Sequence, residues 1–128
     1  LVKYFEHQNI DFLWTRIFYL YGEGEDERGL VGELRKKLAL GESVDLTQGK
    51  QIRDFIDVEI AGAIIADASL GLNVGAFNVC SGEGMSVREL AEKIADEYGS
   101  RELLNFGARQ DNLLDEPFVV GVSSEVRA

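Results

Sequence analysis

Short apolar segments rich in β-branched and aromatic residues alternate with helically spaced segments along the whole chain, and this alternation restricts the fold more than any other feature. Strands separated by helices pair in parallel, because each helix carries the chain back across a sheet. Asp11 to Phe18, with Phe12, Leu13, Trp14, Ile17 and Phe18, reads as a buried parallel strand, which makes Trp14 a core residue. Leu30 to Leu40 has helical spacing through Leu30, Leu34 and Leu38, with Gly41 as its stop. Val44 to Leu46 and Gln51 to Asp57 read as short strands around a turn at Gln48-Gly49, and Glu59 to Leu70 as a small-residue helix packed tightly on a sheet. Ala76 to Cys80 is a further strand. Ser86 to Tyr98 is the best-marked helix: Ser86 and Glu89 form a capping box, and Val87, Leu90 and Ile94 line one face. Glu102 to Phe106 reads as a strand, and Asp115-Glu116-Pro117 breaks the chain before Phe118-Val119-Val120. The expected class is α/β, one unit over residues 1–128.

Both ends read as truncation points. Val2, Tyr4 and Phe5 with Ile10 form an interior helical face that nothing before Leu1 caps, and Ser124 to Ala128 reads as the first turn of another helix. Charge narrows the partners. With 23 acidic against 13 basic residues the net charge is −10, so neither nucleic acid nor an anionic membrane is an expected partner. Cys80 is the single cysteine and has no internal disulfide partner, and the longest apolar run is far short of a bilayer span. A soluble cytoplasmic protein is expected.

Most candidate motifs have a structural explanation. Ser81-Gly82-Glu83-Gly84 follows a strand and opens a helix, but the third glycine of a dinucleotide fingerprint is replaced by Val87 and the capping box explains the turn. Gly22-Glu23-Gly24-Glu25-Asp26-Glu27 is too acidic to cradle phosphate and reads as a solvated loop. His7 lacks a second ligand at metal spacing and is expected on the surface; Cys80, in an apolar strand, is expected as a buried inert thiol. Arg53 in Gly49-Lys50-Gln51-Ile52-Arg53-Asp54-Phe55 is different. A guanidinium on an apolar strand just after a glycine turn suits a phosphate, whose oxygens its planar fork meets in pairs. Pairing with one of the many carboxylates is the other reading.

Thr15-Arg16-Ile17-Phe18-Tyr19-Leu20-Tyr21-Gly22-Glu23-Gly24 resembles the LRxFxxYGPG segment of the extended short-chain dehydrogenase/reductases, the NAD(P)-dependent nucleotide-sugar epimerases and dehydratases. Further matches follow in family order: Leu30-Val31, Gly41-Glu42, Val44-x-Leu46-Thr47, Gly49-x-Gln51-x-Arg53-Asp54-Phe55-Ile56, Phe77-Asn78-Val79-x-Ser81-Gly82-Glu83-Gly84 and Ser86-Val87-Arg88-Glu89-Leu90-Ala91.

The resemblance implies the C-terminal portion of an extended Rossmann-type enzyme. Residues 1–22 would end the Rossmann part and 23–128 would form mostly the small nucleotide-sugar-binding part. It implies NAD or NADP as cofactor, a nucleotide-diphosphate sugar as ligand and a homodimer for the complete enzyme. Phe18 and Tyr19 match the strand end near the nicotinamide and sugar, Leu30 and Val31 a segment touching the nucleotide, Leu46 and Thr47 a strand flanking the base, and Arg53 the diphosphate arginine. Arg109 stands nearest the place of a second diphosphate arginine.

The family's catalytic Tyr-x-x-x-Lys and its glycine fingerprint are absent, so the chain alone is expected to be inactive and, without its Rossmann partner, to expose the apolar faces of Asp11–Phe18 and the first helix. A non-catalytic α/β binding or interaction module is the alternative. Two departures stand out. Glu23 and Gly32 replace family prolines, and Asp57-Val58-Glu59-Ile60-Ala61 is one residue short before its helix, which would turn the helix start by about 100°.

Overall fold

The computed structural model describes residues 1–128 and divides the chain among four small sheets and four α-helices. Strand β1 (Leu13–Ile17) lies parallel to β6 (Gly75–Val79), with Leu13 opposite Gly75 and Ile17 opposite Val79. Strand β2 (Tyr19–Tyr21) runs parallel to β5 (Phe55–Asp57). The same stretch of chain thus changes neighbour at Phe18, whose N–H donates to Val79 O at 3.1 Å just before the Tyr19 N–H donates to Asp54 O at 3.1 Å. Residues 1–22 and the rest of the chain are therefore joined by two parallel strand pairs. A third parallel pair joins β3 (Val44–Leu46) to β8 (Leu104–Phe106). In the fourth sheet β4 (Ile52–Arg53) is central, antiparallel to β7 (Met85–Ser86) and parallel to β9 (Phe118–Val119).

The apolar positions collect into two cores. Helix α2 (Leu30–Ala39) and helix α4 (Val87–Glu97) bury Val31, Leu34, Leu38, Leu90, Ala91, Ile94 and Ala95 against Val44 and Leu46 of β3. Helix α3 (Val58–Leu70) lays Ala61 and Ala68 on Ile56, Phe77 and Val79, the small side chains permitting close approach of helix and strands. Helices α3 and α4 start at side-chain caps. At α4 the Ser86 Oγ accepts from Glu89 N at 3.1 Å while the Glu89 carboxylate accepts from Ser86 N at 2.7 Å, the capping box read from the sequence. At α3 Asp57 is the N-cap and accepts from Glu59 N at 2.8 Å and Ile60 N at 3.4 Å. At Gly49, φ is +66°, and a Cβ there would stand 2.8 Å from Arg88 N at the start of α4, so only glycine lets the turn lie against the helix.

Several expectations are corrected. Residues 124–128 form no helix; the tail is extended, Ser124 Oγ accepting from Asn78 N at 2.9 Å and Arg127 O from Leu72 N at 2.8 Å. These partners hold it beside β6, and an extended chain uses them where a helical turn would not. Trp14 is 47% exposed and not in the core, because α3 covers one face of β1–β6 and no element of the chain covers the other. Val2, Tyr4 and Ile10, around helix α1 (Val2–His7), are exposed, as expected for a first helix without its Rossmann partner; Phe5 stacks on Phe12 at 5.5 Å and meets the Tyr4 ring edge-to-face at 5.8 Å. The expected strand 51–57 breaks at Asp54 into β4 and β5, which join different sheets, and the start of the expected strand 102–106 is a 3-10 turn at Arg101–Leu103. No helix is long and apolar enough to cross a membrane.

The break at Asp54 has a physical centre. Asp54 is fully buried, and its Oδ1 accepts from Ser81 N and Ser81 Oγ, both at 2.7 Å, while Oδ2 accepts from Gly82 N at 2.9 Å and Gly121 N at 3.1 Å. Burial alone would raise its pKa, but the donors from Ser81, Gly121 and Gly82 together hold it below the ordinary aspartate value. A carboxyl so depressed contributes stability that is complete above the ordinary aspartate range and is lost as pH falls through the folded value. In Asp54→Asn, whichever way the amide turns, its NH2 faces at least one backbone N–H. Urea unfolding at neutral pH should show a loss of about 1–3 kcal/mol, and the variant's stability should depend less on acid than the parent's.

Candidate functional site

Alternation along β4 sends Asp54 into the hydrogen-bond cluster and the preceding Arg53 the opposite way, into a cavity of about 640 Å³. The wall is mostly apolar. Phe18, Tyr19, Leu30, Val31 and Arg53, five residues singled out from the sequence, all line it, together with Ile17, Leu20, Phe55 and Val87. The strand change at Phe18 brings Phe18 and Tyr19 to one side, and the first turn of α2 supplies Leu30 and Val31. Two carboxylates, Glu25 and Asp115, complete the lining.

Arg53 is 4% exposed and is held by three neighbours. One terminal nitrogen donates to Ile52 O at 2.9 Å, the other meets Asp115 Oδ1 at 2.9 Å, and Cζ lies 5.4 Å from the centre of the Tyr19 ring. Tyr19 is itself set edge-to-face on Phe55 at 6.0 Å. The carboxylate reading of Arg53 is thus realised in this structure. The anion-binding reading also stays in place: the buried guanidinium faces a mostly apolar cavity, and Asp115 belongs to an exposed loop and is 41% exposed.

The remaining candidates lie elsewhere. Leu46 is buried in the core of α2 and α4, and Thr47 Oγ1 accepts from Gly49 N at 3.3 Å, shaping the turn before β4. Arg109 is half exposed and donates to Glu33 Oε1 at 2.8 Å. None of these three lines the cavity around Arg53. The Ser81–Gly84 turn is not a phosphate cradle: the N–H groups of Ser81 and Gly82 are spent on Asp54. His7 is exposed, and Cys80 is buried with its Sγ 3.7 Å from Ser123 Oγ. No group of three or more His, Cys, Asp or Glu side chains is placed to hold a metal ion.

Three contributors escaped the sequence reading. Asp54 and Asp115 find partners far away in the chain, and the available signal was a charge in an apolar strand and an acid beside a proline break. Glu25 is the third. The acidic loop presses onto the start of α2 so closely that a Cβ at Gly29 would stand 2.6 Å from Glu25 Oε1. Its Oε2 is buried without a hydrogen-bond partner, and burial raises the Glu25 pKa despite the Val31 N–H and the Arg35 charge.

Residues 1–80 match the model of the NAD dependent epimerase/dehydratase family, and the chain belongs to that family. CDP-abequose synthase of Salmonella muenchen is 30% identical over 116 residues, a match covering 86% of this chain and 40% of that protein. Among solved structures, UDP-N-acetylglucosamine 4-epimerase from Methanobrevibacter ruminantium M1, in complex with UDP-N-acetylmuramic acid, superposes with a TM-score of 0.85 at 23% identity, over 96% of this chain and 41% of that one. UDP-glucose 4-epimerase from Thermus thermophilus, in complex with NAD, gives 0.80 at 22% identity, over 93% and 40%. The structural matches establish a Rossmann-like α/β fold. The chain spans about two fifths of the length of these relatives.

An acid whose folded pKa is raised costs stability once it ionises, so the Glu25 contribution falls as pH rises from the ordinary glutamate value towards the folded one. Glu25→Gln removes that titration. Thermal unfolding across mildly acidic to neutral pH should show the parent losing stability relative to Glu25→Gln as pH rises.

Proposed function

We propose that this chain is the nucleotide-sugar-binding portion of an NAD(P)-dependent epimerase or dehydratase, and that Arg53 receives the ligand's diphosphate. The observation that supports this most is the convergence of Phe18, Tyr19, Leu30, Val31 and Arg53 on one cavity, although the five come from three separate stretches of sequence. The chemistry of that lining suits the ligand. Apolar and aromatic walls take the faces of a sugar and a base, and a single buried guanidinium offers paired N–H donors to phosphate oxygens. Epimerase, dehydratase and reductase activities share such a ligand, and the residues present do not separate them.

The fit to a dinucleotide is partial. Phe18 and Tyr19 offer a nicotinamide ring an aromatic wall, but the one glycine-rich turn that opens a helix is closed to a pyrophosphate by Asp54. NAD supplies hydride acceptance and return when bound to a complete enzyme; this chain supplies ligand orientation and exclusion of water from the cavity. No Tyr-x-x-x-Lys pair is present to move the proton. Purified on its own, the chain should therefore reduce no NAD with any nucleotide sugar in an absorbance assay.

Calorimetric titration with UDP, CDP and dTDP tests the binding reading. At least one should bind, and Arg53→Ala should weaken it by about 1.5–3 kcal/mol, the range for hydrogen bonds to charged groups. Equal affinity in the variant would return Arg53 to a purely structural role and favour the non-catalytic module.

A further inference from the structure

We infer that Asp115 is a built-in competitor for the proposed diphosphate: its carboxylate covers Arg53 in the free protein and swings away with its loop when the ligand's phosphates arrive. The inference rests on the reading of Arg53 given above. An arginine side chain that is 5% exposed is closed to a ligand as it stands, so something must move before two phosphate oxygens can meet it. Asp115 is the movable part. Arg53 is fixed from behind by Ile52 O and by the strand that Asp54 clamps, whereas Asp115 projects from a loop whose tip, Leu113 and Leu114, is more than nine-tenths exposed.

The carboxylate also occupies the position that a phosphate would take. Asp115 Oδ1 lies 2.9 Å from an Arg53 terminal nitrogen, while Oδ2 accepts only one weaker bond, from Gln51 Nε2 at 3.2 Å. Asp115 also borders a second concavity of about 300 Å³, formed by Lys50 and Gln51 on one side and by its own loop from Asp111 to Pro117 on the other, so the loop has open space beside it. While Asp115 is seated it neutralises Arg53, which would otherwise be an unpaired buried charge. The competition lowers apparent affinity by the fraction of molecules in which Arg53 is covered.

Titrating the parent chain, Asp115→Asn, Asp115→Ala and Arg53→Ala with the three nucleoside diphosphates and with inorganic pyrophosphate tests this, with circular dichroism confirming that each variant is folded. Asp115→Asn should bind the best nucleoside diphosphate about tenfold tighter than the parent, pyrophosphate should gain in the same direction, and Asp115→Ala should reproduce the gain. Unchanged or weaker binding in both Asp115 variants, with Arg53→Ala still deficient, would overturn the competitor role while leaving the Arg53 reading intact. Equal binding by parent and Arg53→Ala would instead sink that reading, and the competitor role with it.

Discussion

The Asp54 carboxylate, fully buried and taking four hydrogen bonds, ties β4 and β5 to the Ser81–Gly82 turn and to the strand exit at Gly121. Without such donors a buried carboxylate would be neutral or excluded; with them it stays ionised and fixes three backbone segments at one point. Directly after it the chain meets both cores, Phe55 packing against the α2–α4 core and Ile56 belonging to the core under α3. The position of Arg53 follows from this. A residue preceding a clamped strand residue has little freedom, and its side chain must leave on the opposite face, towards the cavity.

That arrangement divides the work between two adjacent charges. Asp54 is satisfied by groups that cannot move without unfolding the turn, whereas Arg53 is satisfied partly by a carboxylate on an exposed loop. A buried cation paired on an exposed loop is the proposed binding group, whereas a buried anion with fixed backbone donors is architecture. The same distinction disposes of the glycine-rich turn, whose N–H groups are already committed to Asp54, and of Arg109, whose pairing with Glu33 takes place on the surface.

Much of this was legible in the sequence, and the limits have a physical origin. The helices 30–39, 58–70 and 87–97 carry their own spacing, and the last its capping box, so local pattern locates them to within a residue or two. The ordered motifs bring five cavity residues to attention without any geometry. What stayed hidden was non-local. Asp54 finds its donors 27, 28 and 67 residues away, and Asp115 reaches back to Arg53 from just before a proline break. The apolar run Asp11–Phe18 has the composition of a strand buried on both faces, and Trp14 and Ile17 lie open as expected without a Rossmann partner, because composition reports what a strand can bury and not whether a neighbour is present to bury it.

A crystal structure of the chain with a bound pyrimidine nucleoside diphosphate examines the central assignment most directly. Phosphate oxygens should lie within hydrogen-bond distance of the Arg53 guanidinium, with the Asp54 cluster unchanged behind it and Asp115 no longer on Arg53. A nucleotide bound elsewhere, with the Arg53–Asp115 pair intact, would contradict the assignment.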